Sequence, residues 1–452
     1  MGTIIDYLAW RGDIPFSAVE FNEIDALILC QITYLNFDGL LSDANFSNQI
    51  PISELAEKFK NSPDFETRAD TGLLINEETS KLLELAGKSE RFKDVLITGY
   101  MSIIDLSKEE QFAAATYIIQ PKLNYVVYRG TDDTIVGFKE DFNLAIMDEV
   151  PAQKDAIQYL ELAASSLKGN FYVGGHSKGG NLAIYASAMV RPETKKRVSL
   201  IYNMDGPGFS DKRLTSQEFY EIIPRIRSFY PHFSIVGMIF NHAGAYSVVE
   251  SEQTGIMQHD PFSWHLCGKS FVLLNDFDEA SSFFNKVLNK WILSLSKEQV
   301  SQFIETLYNI LEATDARTNS EIETNILKNS FKIFKAWMDT PADIRDAVEN
   351  TVRQLYKIAH RQMPSPQEWF EKNTKRGLHK VKENVAKMQK LQKSQEAQMS
   401  SGKAAGKSAG KAAGKSSGKA GAGASGLKSA GKASGLKSGS KIRKANGKLS
   451  EK

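Results

Sequence analysis

Near the start of the chain, apolar positions recur with a helical period. In FNEIDALILCQITYL they fall at Ile24, Leu27, Ile28, Ile32 and Leu35, which predicts a helix with a broad apolar face. PISELAEKFK and NEETSKLLELAGKSERFKDVL read as surface helices, so residues 1–105 are expected to form a helical segment packed on a core. The pattern changes near residue 111. QFAAATYIIQ and LNYVVYRG are short β-rich runs joined at Pro121 and Lys122, which predicts a hairpin. AQKDAIQYLELAASSL follows as an amphipathic helix. Next come a strand at 171–173, a glycine-rich turn and a helix over 181–190. VSLIYNMD is another strand, closed by Asp205-Gly206-Pro207-Gly208. RIRSFYPHFSIVG and AYSVVES add further strand candidates. Strands alternating with helices predict a mainly parallel α/β sheet flanked by helices over 106–275.

From 276 to 370 the periodicity is helical throughout, with Ser296 and Thr340 as expected caps and Pro341 in a first turn. This predicts a subdomain serving as a lid, a packing element or a partner surface. Residues 371–395 form a basic amphipathic helix by pattern. The remaining stretch, 396–452, is built almost wholly from Lys, Gly, Ala and Ser, with Gly-Lys every four residues over 402–419. A period of four rather than three excludes collagen. Without aromatic residues the tail cannot offset its ordering entropy by burial, and it is expected to be disordered.

Charge sharpens this division. Residues 401–452 hold thirteen Lys/Arg against one acid, Glu451, a charge of +12, so the net +2 of the whole chain leaves −10 on residues 1–400. A flexible cationic tail suits sequence-independent contact with polyanions such as nucleic acid, anionic lipid or wall polymer; equally, it is a solvated tail that favours solubility. Two cysteines, Cys30 and Cys267, make neither a disulfide framework nor a four-ligand zinc site, which fits a reducing, cytoplasmic compartment. The opening residues lack a signal-peptide pattern, and Asp6 stands where a myristoylation signal needs Ser or Thr. No apolar run is long enough for a transmembrane helix. Arg11-Gly12-Asp13 reads as a packed entry turn rather than an adhesion motif.

The chemistry concentrates in NFYVGGHSKGGNLAIYASAMV. Gly-x-Ser-x-Gly between a strand and a helix is the pattern of a nucleophile elbow, with Ser177 at the tip. Gly175 and Gly179 leave room for close strand–helix approach, and the helix that follows aims its free N–H groups at developing negative charge. The same residues also suit a plain glycine-rich or anion-binding turn; a Walker phosphate loop is excluded by spacing. Upstream, YVVYRGTDD ends a strand at Arg129-Gly130-Thr131, so the Thr131 N–H and the Lys178 N–H are the candidate oxyanion donors. The base must be a histidine downstream, which leaves His232, His242, His259 and His265. His259, in a loop ended by Asp260-Pro261 beyond the last strand candidate, is the preferred one. His176 is expected to face away from the site. Asp205, at the end of the strand after the nucleophile helix, is the candidate acid; the alternative is an Asp that merely caps a turn.

These motifs resemble the class 3 lipase group of α/β-hydrolases, which pairs an Arg-Gly-Thr/Ser strand end with a Gly-His-Ser-x-Gly-Gly elbow. More closely, residues 5–370 resemble a bacterial family of lipase-like proteins of unassigned function. The similarity lies in YLAWRGDIPFSAVEFNEIDALILCQITYL, NMDGPGF and YSVVESEQTGIMQHDPFSW. The resemblance implies an α/β-hydrolase fold and a hydrolase activity needing neither metal nor cofactor. One departure stands out. Class 3 lipases carry the acid in an Asp-x-Val-Pro-like segment one strand later, where this chain reads Ser234-Ile235-Val236-Gly237. Either Asp205 serves from the preceding strand, or the triad is incomplete. The expectation is therefore a serine esterase or lipase-like hydrolase acting on a small ester or lipid. The alternative is a catalytically weak hydrolase fold used for binding, with the basic tail as the working part.

Overall fold

In the computed structural model the described residues are 2–362, except 42–43, 70–74, 133–139, 141–143, 145–146, 243 and 313–325. The chain divides into two units, Met1–Met363 and Pro364–Lys452, and all the described residues lie in the first. The expected basic helix at 371–395 and the tail at 396–452 lie outside them.

A nine-stranded mixed sheet organises the unit. Its strands are β1 (Ile50–Pro51), β2 (Leu96–Asp105), β3 (Glu110–Gln120), β4 (Leu123–Tyr128), β5 (Asn170–His176), β6 (Val198–Met204), β7 (Ile226–Pro231), β8 (Tyr246–Val249) and β9 (Leu273–Leu274). They lie side by side in chain order. β4 to β8 run parallel, while β1 to β3 and β9 pair antiparallel at the two ends. The β3–β4 hairpin is the expected one and turns at Lys122, which takes a positive φ of 74°. β2 was not expected, since 96–105 fell inside the segment read as helical. Its alternation is broken at Gly99 (φ 63°), where the pairing with β3 shifts register between Thr98 and Met101.

Parallel strands laid down in chain order with right-handed crossovers place their helices on one face. Helices α5 (Pro151–Ser166) and α6 (Lys178–Met189) cover that face and pack on β3 to β6. The other face needs a cover from elsewhere in the chain, and the N-terminal segment supplies it. The preceding helices are α1 (Ile4–Arg11), α2 (Glu23–Ile32), α3 (Ile52–Lys60) and α4 (Thr79–Lys88). α2 lies against β4, β5 and β6 and is buried along its whole length from Ile24 to Ile32. A helix so apolar all round belongs inside a core, and each fully buried Leu or Ile contributes about 1.5–3 kcal/mol. Asn22 caps α2, accepting from the N–H groups of Ile24 (2.9 Å) and Asp25 (3.2 Å). Asp25 in turn forms a fully buried ion pair with Arg91, whose guanidinium also donates to the carbonyls of Ile14, Val19 and Glu20. Arg11 closes α1, and the buried Gly12 accepts at its carbonyl from the Arg91 N–H (2.9 Å), while Asp13 in the turn that follows is exposed.

Four further helices follow the sheet: α7 (Glu279–Ser294), α8 (Lys297–Glu312), α9 (Ile326–Asp339) and α10 (Ala342–Gln362). Ser296 caps α8 as expected: its hydroxyl accepts from the Gln299 N–H (3.2 Å), and Gln299 Oε1 accepts from the Ser296 N–H (2.9 Å). Among the described residues, no helix is long and apolar enough to cross a membrane. A parallel-centred sheet flanked by helices, with a strand–serine–helix turn at its middle, is the α/β-hydrolase architecture that the sequence pattern predicts.

Candidate active site

Three neighbouring parallel strands deliver the candidate residues to one edge of the sheet. Tyr128 of β4 stands opposite Gly175 of β5, His176 opposite Met204 of β6, and Met204 opposite Phe229 of β7. The chain therefore leaves β4 toward Thr131, β5 at Ser177 and β6 at Asp205, all at carboxyl ends, where open α/β sheets collect ligands.

Ser177 has φ 58° and ψ −132°, a region that costs a non-glycine residue about 1–3 kcal/mol. The surroundings hold it there. Its N–H donates to the Met204 carbonyl and its carbonyl accepts from the Gly180 N–H, both at 2.9 Å. The neighbouring glycines are needed for approach: a methyl on Gly179 would lie 2.1 Å from the Tyr128 carbonyl oxygen, and one on Gly175 2.3 Å from the Gly179 carbonyl carbon. Lys178 begins α6, so its N–H has no acceptor within the helix. Its side chain points elsewhere. The ammonium is buried and donates to Glu140 Oε2 (2.8 Å), Gln111 Oε1 (2.7 Å) and the Gln111 carbonyl (2.8 Å), which anchors the elbow helix.

Gly130 brings the second loop against the elbow. An added methyl there would fall 2.2 Å from Tyr34 Oη, 2.5 Å from the His176 carbonyl oxygen and 3.0 Å from Ser177 Cβ. Thr131, the next residue, is buried beside it.

Asp205 also takes a positive φ, 53°, with its N–H bound to the Phe229 carbonyl at 2.8 Å. The side chain is fully buried. Oδ2 lies 2.6 Å from His259 Nδ1, and Oδ1 accepts from the Ser234 hydroxyl at 2.5 Å. Burial raises the carboxyl above the usual aspartate range; His259, Ser234 and the Gly237 N–H oppose that by favouring the ionised form. Gly237 has no room for a side chain, since a methyl would strike Asp205 Oδ1 at 2.2 Å.

The His259 loop is pinned from several directions. The buried Trp264 donates its indole N–H to the Gln258 carbonyl (2.8 Å), Gln258 Oε1 accepts from the Phe233 N–H (2.9 Å), and Asn76 bonds Asp260 (2.8 Å). His176 supports the ring itself. Its own ring sits 4.6 Å from that of His259, and its Nε2 lies 2.9 Å from the His259 carbonyl oxygen. A carbonyl only accepts, so His176 Nε2 carries the proton and Nδ1 accepts from Tyr34 Oη (3.1 Å). Burial, reinforced by His259, holds the His176 pKa well below the ordinary value and keeps the ring neutral. His176 was expected to face away from the site; its ring packs against that of the base candidate.

The structure thus brings Asp205 and His259 into direct contact, one residue from Ser177 by way of His176. Among the described residues, no hydrogen bond joins Ser177 Oγ to His259, and such bonds often close only around substrate. The other histidines take other partners. His232 meets Gln258 (3.2 Å), His265 meets Glu250 (3.3 Å), and His242 meets Tyr230 Oη (2.7 Å), with burial lowering the His242 pKa to about 4. Among the described residues, no cluster of three or more His, Cys, Asp or Glu side chains is placed to hold a metal ion.

A cavity of ≈ 220 Å³ opens beside the elbow. Ser177 and Lys178 line it from the elbow and Pro207 from the turn after β6; Val236, Ile239 and Phe240 from the loop after β7; and Leu288, Trp291, Phe303 and Ile304 from α7 and α8. Sequence reading missed what holds that loop. Ser281 and Asn285 donate to the Ser234 carbonyl (2.9 and 3.0 Å), and Asn289 donates to the Met238 carbonyl (2.9 Å). Those three α7 residues recur every four positions, a polar stripe that is the one available sequence signal.

A family model described as Mbeg1-like matches residues 86–309, just under half of the chain. No curated protein matches the chain. Among solved structures, it is similar to the MDLA protein of Penicillium cyclopium in a mutant form: 12% identity, 55% of this chain and 83% of that one covered, TM-score 0.30. It is likewise similar to Rhizomucor miehei lipase in its propeptide complex: 14% identity, 60% and 89% covered, TM-score 0.26.

Proposed function

We propose that the protein is a serine hydrolase of carboxylic esters, with Ser177 as nucleophile, His259 as general base and acid, and Asp205 as the residue that orients His259. The observation that carries this reading is the 2.6 Å contact between the buried Asp205 and His259 Nδ1, beside a serine held at a strained elbow. A carboxylate bound there keeps the proton on Nδ1 and leaves the Nε2 lone pair to act as base. Ser177 Oγ attacks the ester carbonyl carbon while its proton passes to His259 Nε2. Negative charge on the carbonyl oxygen is met by the N–H groups of Lys178 and Thr131. As the tetrahedral intermediate collapses, the bond to the alcohol oxygen breaks and His259 protonates the departing alcohol. Water then attacks the acyl-enzyme, gives its proton to His259, and Ser177 leaves as the restored hydroxyl with release of the acid. The Ser234 hydroxyl, at the position expected to hold the acid, favours this role for Asp205 by stabilising the carboxylate's second oxygen.

A fluorophosphonate activity probe tests nucleophile, base and oxyanion donors together. The wild type should label and Ser177→Ala should not. Equal labelling of both, or none of the wild type, would reject the assignment. A second reading has its own support in the thirteen Lys/Arg of residues 401–452: a tail that binds polyanions without sequence preference. Truncation after residue 395 should then abolish a strongly salt-dependent affinity for DNA or anionic vesicles, and an unchanged affinity removes the idea.

A further inference from the structure

We infer that the cavity beside Ser177 is an acyl-chain site for medium-chain acyl groups of about eight carbons, with Trp291 and Ile304 setting the length limit. The inference rests on the hydrolase reading above and names the substrate class of that site. Three features support it. The first is chemistry. Among the described residues of the lining, the only ionisable group is Lys178, and its ammonium is paired with Glu140. The Ser177 hydroxyl is thus the polar side-chain group left among the described lining residues, and the others, including Val236, Ile239, Leu288, Trp291 and Ile304, are apolar. A sugar, phosphate or peptide would lose its water there with nothing to replace it.

The second is size. An apolar cavity of about 150 Å³ accepts benzene, which sets a scale of about 25 Å³ per carbon. On that scale a cavity of ≈ 220 Å³ holds roughly eight or nine carbons. The third is rigidity at the helical wall. The Trp291 indole N–H donates to the Thr351 carbonyl of α10 (2.8 Å), and its ring meets Phe303 edge-on at 5.6 Å. Trp291 is therefore fixed by two other elements rather than free to swing aside. The elbow, the turn after β6 and the loop after β7 form one wall and α7–α8 residues the other, so an acyl chain bound to Ser177 runs from the elbow toward Trp291 and Ile304. A neighbouring cavity of ≈ 200 Å³ shares Leu144 and Phe240 but suits the chain less well. Its polar groups are engaged with one another, Gln153 with Asn181 (2.9 Å) and Arg213 with the Asp148 carbonyl (2.7 Å).

The test is kcat/KM for p-nitrophenyl esters from acetate to palmitate. The wild type should peak between hexanoate and decanoate. Trp291→Ala should raise the palmitate-to-octanoate ratio about tenfold, and Ile304→Trp should move the peak to butyrate or shorter by a similar factor, as one or two methylenes in a pocket allow. Should Trp291→Ala fail to fold for want of its bond to Thr351, Trp291→Phe keeps the packing and Ile304→Trp still decides. A flat profile, or one that neither variant moves, overturns the acyl site while leaving the hydrolase reading intact. If the wild type turns over no ester, the hydrolase reading falls. The cavity is then judged by calorimetric binding of octanoate to Ser177→Ala. Binding weakened at least about tenfold by adding Ile304→Trp supports the site; no binding overturns it.

Discussion

Replacing Asp205 with Asn separates a working triad from an accidental contact. The amide matches the carboxylate in shape, so the question is which way it turns. On the Oδ1 side it meets two donors, the Ser234 hydroxyl at 2.5 Å and the Gly237 N–H. Both favour an oxygen there, which turns the NH2 group toward His259 Nδ1. An amide N–H facing Nδ1 needs a lone pair on that nitrogen, so the imidazole proton moves to Nε2, the atom that must accept from Ser177. In triads where this exchange has been made, the wrong tautomer costs about four orders of magnitude in kcat, equivalent to about 5.5 kcal/mol of barrier. Stability should move the other way. Burial raises the folded pKa of Asp205 above its unfolded value, so its contribution to stability is fully present below the unfolded pKa and is lost as pH rises through the folded one. At pH 8 the uncharged Asn variant should therefore melt at or above the wild-type temperature, an advantage that shrinks as pH falls toward the ordinary aspartate range. The assay is kcat/KM for p-nitrophenyl octanoate beside a thermal melt at pH 8 and pH 5. A variant that keeps more than about a tenth of wild-type activity would refute the claim that Asp205 orients the base.

Three further outcomes follow from the same geometry. Gly130→Ala puts a methyl 2.2 Å from Tyr34 Oη and 3.0 Å from Ser177 Cβ; it should cut kcat by about 10²-fold or more, as loss of one oxyanion donor does, with little change in KM. Lys178→Met leaves Glu140 buried and unpaired and should destabilise the fold by about 3–5 kcal/mol in urea denaturation, although the backbone N–H assigned to catalysis is untouched. Glu110 is held up to about 7 by burial, with Asp155 beside it. Its contribution to stability is present below the unfolded glutamate pKa and is lost as pH rises toward 7, so Glu110→Gln should raise the melting temperature at pH 8 and have almost no effect at pH 4.

Much of this was legible because local chemistry and backbone demand coincide. An elbow requires small residues on either side of the serine, and Gly175 and Gly179 are where a Cβ would strike backbone atoms. The Arg-Gly-Thr stretch was legible for the same reason at Gly130, and α2 was legible because its apolar period is strong. β2 was hidden because a bulge at Gly99 breaks the period-two alternation on which strand reading depends. The N-terminal segment was read as an addition, and only the sheet's topology shows why it must be part of the core. With its crossover helices on one face, the sheet draws its second layer mainly from this segment, joined by Phe262, Trp264, Leu266 and Phe271. The contacts of His176 and the Lys178–Glu140 pair join residues far apart in sequence, and no periodicity reports such pairings.

The position proposed for the acid follows from the loop beyond β7. Ser234 lacks a carboxylate, yet its hydroxyl donates to Asp205, and the Gly237 N–H also favours the ionised carboxylate. A loop that offers donors needs an acceptor, and Asp205, at the end of the adjacent strand with a positive φ, supplies it. The loop is in turn held by Ser281, Asn285 and Asn289 of α7, while its Val236, Ile239 and Phe240 face the cavity. One segment therefore steadies Asp205 on one side and lines the cavity on the other, with α7 holding the segment. A carboxylate on that loop would stand against Asp205 and place two negative charges in a fully buried pocket, where both could not stay ionised. On the proposed reading, serine at position 234 is thus the counterpart of aspartate at position 205 rather than a gap in the machinery.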